Sequence, residues 1–178
     1  PLGAIQWVII CYVLTYASLL LNFGRIADIV GHRRIFLIGL ATSALGLSAC
    51  GLAGSYETLL MARIAQGLGT ALVLATGPAL VTLAFDDALR PRALGAYAMF
   101  ITGAAAAGPL IGGAIVAQWG WPAVFWFRVP IALGVLVLAL AWIPVSRSAR
   151  AEQRFDLLGA VLLTAALVST LLEFNRVS

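Results

Sequence analysis

This sequence predicts an all-α, polytopic membrane helix bundle, and three observations carry that prediction. First, 62% of its 178 residues are hydrophobic and only 10% are charged, where a soluble domain carries roughly 25% charged residues. A chain so poor in charge, with mean hydropathy +1.04, cannot keep its surface in water. Second, the apolar residues are gathered into six runs of the ~20 residues that a spanning helix needs. Third, most of the charges sit in the links between those runs. Strands are excluded physically. In lipid only helices or closed barrels satisfy every backbone group, and barrel strands would alternate with a period of two, whereas these runs are continuously apolar.

The six runs cover residues 5–23, 35–53, 58–85, 93–118, 123–145 and 155–174. The links are short, so neighbouring helices run antiparallel. All eleven basic residues are arginines, and their placement sets the orientation. Link 24–34 carries Arg25, Arg33 and Arg34, link 86–92 carries Arg90 and Arg92, and link 146–154 carries Arg147, Arg150 and Arg154. The alternate links, 54–57 and 119–122, carry none. Positive charge accumulates on the cytoplasmic side, so the three arginine links face the cytoplasm and Pro1 and Ser178 face outward. Trp7, Tyr56, Trp119 and Trp121 fall near the outer ends, where amphipathic rings prefer the headgroup zone.

The net charge of +4 does not point to nucleic acid, which would be met by a basic stripe rather than scattered loop arginines. Cys11 and Cys50 fall inside apolar runs and read as small buried hydrophobes. No ligand spacing for a metal is present, nor any nucleophile–base pair or phosphate loop, so nothing supports a membrane enzyme. The single histidine, His32, reads as a solvated loop residue. The chain begins at Pro1 with no leader before the first run, and reads as an internal piece of a longer polytopic protein.

Three constellations carry candidate chemistry. In the first link, Asp28 lies where the helix ends, Arg33 and Arg34 follow, and Gly24 and Gly31 permit close approach and a tight turn. This charged group reads either as a latch across the cytoplasmic side or as a plain positive-inside anchor. In the third run, Arg63 sits ~8 Å along its helix, with Gln66 and Thr70 on the same face. Gly67, Gly69 and Ala71 thin that helix for a neighbour. An ionisable group in a membrane segment is a functional site by default. A guanidinium reaching back to the interface is the alternative, against which the polar Gln66 one turn deeper argues. In the fourth run, residues 103–114 are all Gly, Ala or Pro109 except Leu110 and Ile111. Such density lets helices touch backbone to backbone, and Pro109 removes a helical hydrogen bond. Arg128, inside the fifth run, either lines a wet cavity and meets an anion or extends to the interface. Glu173 reads as interfacial, Asp86 and Asp87 as loop charges, and Asp156 as an N-terminal cap.

Taken together these residues resemble the major facilitator superfamily, and within it the fourteen-helix drug:proton antiporter branch. Gly24, Asp28, Gly31, Arg33 and Arg34 are similar to the signature after the second helix, with Ile29 and His32 standing where it usually has Arg. Arg63, Gln66, Gly67, Gly69 and Ala71 resemble the fourth-helix signature, whose Arg the family links to proton transfer. Gly95, Gly108, Pro109, Gly112 and Gly113 resemble the fifth-helix antiporter signature, with Ala104 in place of one Gly. Residues 121–130 resemble the entry to the sixth helix, with Arg128 replacing the usual Asn. Phe155, Asp156, Leu157, Leu158 and Gly159 resemble the opening of the branch's extra seventh helix.

The resemblance implies a partial N-terminal transporter bundle at 1–154, comprising helices two to six, and the seventh helix at 155–178. The first helix, with the branch's membrane-embedded acidic residue, and the C-terminal half would complete the protein. It implies proton-coupled export of drug-like or amphipathic small molecules from a bacterial cytoplasmic membrane by alternating access. It implies no cofactor beyond protons as coupling ion, and the lipid bilayer and a small-molecule substrate as partners. Arg63 and Gln66 would couple protons, Asp28, Arg33 and Arg34 would gate the cytoplasmic side, and Thr70 and Arg128 would face the substrate cavity. The departures at Ile29, His32 and Arg128 keep open a non-transporting receptor or assembly protein on a transporter scaffold.

Overall fold

A computed structural model of the chain describes residues 2–144, 164–165 and 168–169. Five helices run in order: α1 (Leu2–Val30), α2 (His32–Gly51), α3 (Tyr56–Ala84), α4 (Arg90–Trp119) and α5 (Trp121–Trp142). Each is long and apolar enough to cross a membrane, and no strand occurs among the described residues. The five runs expected up to residue 145 are therefore present as helices. The sixth, at 155–174, lies largely outside the described residues, as do the boundary at 154 and the arginines of its preceding link. Of that run, Thr164, Ala165, Val168 and Ser169 are helical, and the Thr164 hydroxyl accepts from Asn22 Nδ2 on α1 at 2.7 Å.

The first link is not the eleven-residue turn expected. Helix α1 continues through Gly24, Arg25 and Asp28 to Val30, and the reversal is made at Gly31 alone. That glycine takes φ 108°, a conformation L side chains rarely adopt. Its N–H closes the last turn of α1 on Ala27 O, and its own carbonyl opens α2 by accepting from Ile35 N–H. Nothing between 24 and 30 breaks a helix. At ~43 Å for 29 residues, α1 exceeds a ~30 Å hydrocarbon core and carries its charges beyond the core. The α4–α5 link contracts likewise to Gly120, φ 78°, followed by Pro122 in the first turn of α5. The longer α2–α3 link ends in a capping box, in which Ser55 Oγ accepts from Thr58 N–H and Thr58 Oγ1 accepts from Ser55 N–H.

Helix α3 is the centre of the bundle, wedged between α1 and α2. Its glycines make the wedge possible. A Cβ at Gly69 would lie 2.7 Å from Ser43 Cα and 2.8 Å from Gly39 O, both on α2. A Cβ at Gly67 would meet Thr15 Cβ of α1 at 2.9 Å. From the α2 side, a Cβ at Gly46 would lie 2.6 Å from Gln66 Cα. Helix α5 packs on α2, joining Leu47, Cys50, Ala62 and Phe125 in one apolar cluster. Ala27, Ile35 and Leu72 form a second cluster toward the other end of α2. Helix α4 is attached more loosely, with Ile115 its one buried residue.

The ends alternate as an antiparallel bundle requires. Tyr56, Val116 and Trp121 meet around one cavity, while Phe36, Ala84, Tyr97 and Ile143 meet around another at the arginine-bearing end.

Candidate functional site

Arg63 lies seven residues into α3 and Gln66 one turn further on. The guanidinium donates from Nη1 to Gln66 Oε1 at 3.0 Å. It is held between two aromatic faces, Phe125 of α5 at 4.9 Å and Tyr12 of α1 at 5.4 Å, a placement in which the ring quadrupoles attract the cation. Gln66 is fully buried. Its Oε1 also accepts from the Cys50 thiol of α2 at 3.8 Å. Thr70 completes the row by donating to Gln66 O at 3.0 Å, and it accepts from Tyr12 Oη at 3.3 Å. Four helices thus converge on one polar centre. The structure places the predicted Arg63, Gln66 and Thr70 on one face. Two of the centre's donors, Arg63 Nε and Gln66 Nε2, are buried and have no hydrogen-bond partner among the described residues.

Arg128 belongs to the same neighbourhood. It follows Phe125 by three residues on α5, so the two side chains share a face. Cys50, Tyr12 and Phe125 are the centre's members that sequence reading did not find. Cys50 was expected to be only a small hydrophobe; it is buried, with its thiol turned to an amide oxygen. The one available signal was that all three lie on runs that short links bring alongside α3.

The arginine-bearing end is organised differently from the expected latch of Asp28, Arg33 and Arg34. Asp28 pairs with His32, Oδ1 to Nε2 3.2 Å, across one helical turn that spans Gly31. His32 is therefore a partner rather than a solvated loop residue. Arg33 turns to α5 and donates from Nε to Ile143 O at 2.7 Å and from Nη2 to Leu140 O at 3.1 Å, capping carbonyls that a helix C-terminus leaves open. Arg34 is exposed. Arg90 treats α3 similarly, donating to Thr82 O at 2.8 Å and Phe85 O at 3.1 Å while pairing with Asp87. Gly31 makes the turn, whereas nothing approaches the Cβ position of Gly24.

The residues that resemble the fifth-helix antiporter signature lie on α4 as helix, and among the described residues they make no close helix contact. No atom comes within 4 Å of a Cβ built at Gly95, Gly108, Gly112 or Gly113. Helix α4 runs through Pro109 without interruption, and its glycine face is open among the described residues.

Five membrane-length helices, antiparallel about a buried polar centre, define a multi-pass helical membrane protein. A profile of the Major Facilitator Superfamily matches residues 1–174, and the chain belongs to that family. It is 41% identical over 91% of its length to the multidrug resistance protein Stp of Mycobacterium tuberculosis, covering 30% of that protein. It is 37% identical over 93% of its length to a tetracenomycin C resistance and export protein of Streptomyces glaucescens, covering 31%. It is 34% identical over 90% of its length to a methylenomycin A resistance protein of Bacillus subtilis, covering 34%. The chain thus spans about a third of the length of these relatives.

Proposed function

We propose that the full-length protein is a secondary active exporter of a bacterial cytoplasmic membrane, exchanging protons for drug-like or amphipathic small molecules by alternating access. The observation that carries this reading is the Arg63–Gln66 pair, a half-buried guanidinium on a fully buried amide where four helices meet. An isolated charge inside a membrane bundle is costly and marks a substrate or proton pathway. The naming of relatives as resistance and export proteins supports the direction of transport.

A guanidinium does not release its proton at any working pH. Arg63 would act instead as a fixed positive charge, clamped by Gln66 and two rings, that holds an acidic group while ionised and lets it go once protonated. The acidic residue that the family resemblance assigns to the preceding helix is the proposed partner. The capped ends of α3 and α5, held by Arg90 and Arg33, would move as rigid parts when the cytoplasmic side opens. Gly108, Pro109, Gly112 and Gly113 would form a surface along which α4 slides against helices of the remaining two-thirds.

The test uses full-length protein in everted membrane vesicles with an imposed pH gradient. Addition of a transported amphiphile is expected to collapse the gradient, and Arg63→Ala to abolish the collapse while leaving the protein folded. Gradient-driven export that survives Arg63→Ala would remove Arg63 from coupling.

A further inference from the structure

The first two residues of α2 hold two different neighbours. His32 meets Asp28 of α1, Nε2 to Oδ1 3.2 Å. Arg33 donates to Leu140 O and Ile143 O at the C-terminal end of α5. The two grips differ chemically. A guanidinium keeps its charge at every working pH, whereas an imidazole gains or loses its charge between about pH 5 and 8. The hold on α5 is therefore constant, and the hold on α1 is not.

The Asp28–His32 pair spans a joint of one residue. Helix α1 ends at Val30, α2 begins at His32, and Gly31 between them takes φ 108°. Because α3 is wedged between α1 and α2, those two helices touch each other little elsewhere. On the inner side of the joint Ala27, Ile35 and Leu72 pack together. On the outer side the ion pair bridges the two helices, and its groups are open to aqueous protons, with 22% of the His32 side chain and 52% of the Asp28 side chain exposed.

His32 is the sole histidine of the sequence, and the groups around it hold their charge over the same range. Helix α1 brings Asp28 and Arg25, and α2 brings Arg33 and Arg34. Carboxylates stay ionised and arginines protonated between pH 5 and 8. Helix α3 carries no titratable residue between Arg63 and Ala84, and α5 none after Arg128. Helix α4 brings the phenol of Tyr97 near Phe36, and a phenol is neutral in this range. In the α3–α4 link Asp87 is paired with Arg90, and Asp86 is a further fixed anion.

We infer that the Asp28–His32 pair is a pH-graded clamp on the α1–α2 joint, tight when the imidazole is protonated and slack when it is neutral. The clamp itself does not depend on the export reading above. For such an exporter it would have a consequence. Acidification on the side of the arginine-bearing links, where exchanged protons would arrive, would stiffen the joint and slow their further entry.

The test is hydrogen–deuterium exchange on full-length protein in detergent at pH 6 and pH 8, with each rate corrected for the intrinsic pH dependence of amide exchange. Protection at residues 31–35 is expected to fall about two- to fivefold from pH 6 to pH 8, the size of a partly exposed ion pair. His32→Arg, charged at both pH values, is expected to hold the higher protection throughout. Asp28→Asn leaves the imidazole free to titrate with no anion to grip, and is expected to hold the lower protection throughout. No fall in the wild type, a fall of the same size in Asp28→Asn, or one that persists in His32→Arg would overturn the inference. The expected exchange pattern in a protein that moves no substrate under a proton gradient would defeat the export reading alone.

Discussion

Helices α3 and α4 are both rich in glycine, and the two sets of glycines meet different surroundings. In α3, Gly67 faces α1, Gly69 faces α2 and Gly77 faces Tyr97 of α4. In α4, Gly95, Gly103, Gly108, Gly112 and Gly113 meet nothing within reach of a Cβ. Small residues in membrane helices permit close approach, and association then depends on van der Waals packing. In α3 that permission is used on both sides, and it fixes the helix that carries Arg63. In α4 it is left open among the described residues. The same composition thus builds a rigid seam in one helix and an uncommitted face in the other.

The largest expected effect breaks the seam. A Cβ at Gly46 or Gly69 would press on the backbone of the facing helix at under 3 Å, where no side-chain rotation relieves it. Gly46→Ala and Gly69→Ala in the full-length protein are each expected to cost about 1–3 kcal/mol, and Gly69→Leu to prevent folding. Thermal unfolding in detergent measures this. Wild-type midpoints for both alanine variants would show that α2 and α3 are not locked.

Next comes the polar centre that the seam supports. Gln66→Leu removes the acceptor for both Arg63 and Cys50 and leaves a half-buried guanidinium without its hydrogen bond. A loss of about 1–3 kcal/mol is expected, together with loss of transport. Gln66→Glu keeps an acceptor and supplies a permanent anion for Arg63. It is expected to retain the wild-type midpoint and still fail to transport, because the cation is then answered in every state. A Gln66→Glu protein that transports normally would show that Arg63 need not change partners.

The difference between the two helices also shows what a sequence can disclose. Spans and their alternation were legible because length and hydropathy are properties of each segment alone. So was the Arg63–Gln66–Thr70 row, whose spacing is set by one helix. Cys50, Tyr12 and Phe125 were not legible as members of the centre, because they reach it from three other helices and only packing brings them there. The Asp28–His32 pair has the i,i+4 spacing of a helical neighbour. It was missed because the charges of 24–30 argued for a loop, whereas α1 carries those charges on helix beyond the apolar core. No periodicity in α4 distinguishes a glycine face that is used from one that is open.

A smaller effect is expected at the arginine-bearing end. Arg33→Gln removes the two bonds to Leu140 O and Ile143 O. Partly exposed charge at a helix terminus contributes about 0.3–1 kcal/mol, so a loss of that size is expected, with faster amide exchange in the last turn of α5. Arg34→Gln, at an exposed position with no hydrogen bond or ion pair among the described residues, is the control and should change neither. Equal effects from both variants would mean that charge at this end matters and the cap does not.

The smallest effect on stability is expected from Gly112→Leu. The space around Gly112 is open, and leucine favours a helix by about 0.8 kcal/mol over glycine, so the midpoint of the full-length protein should hold or rise slightly. Transport should nevertheless fall, since the proposed sliding surface of α4 would carry an added side chain. That pairing of intact stability with lost transport is the reverse of Gly69→Ala, where stability is lost first. A fall in the midpoint of Gly112→Leu as large as that of Gly69→Ala would instead mean that α4 is clamped as tightly as α3, by helices from the remaining two-thirds. In that case the two glycine sets would differ in partner only, and the moving surface would have to lie elsewhere.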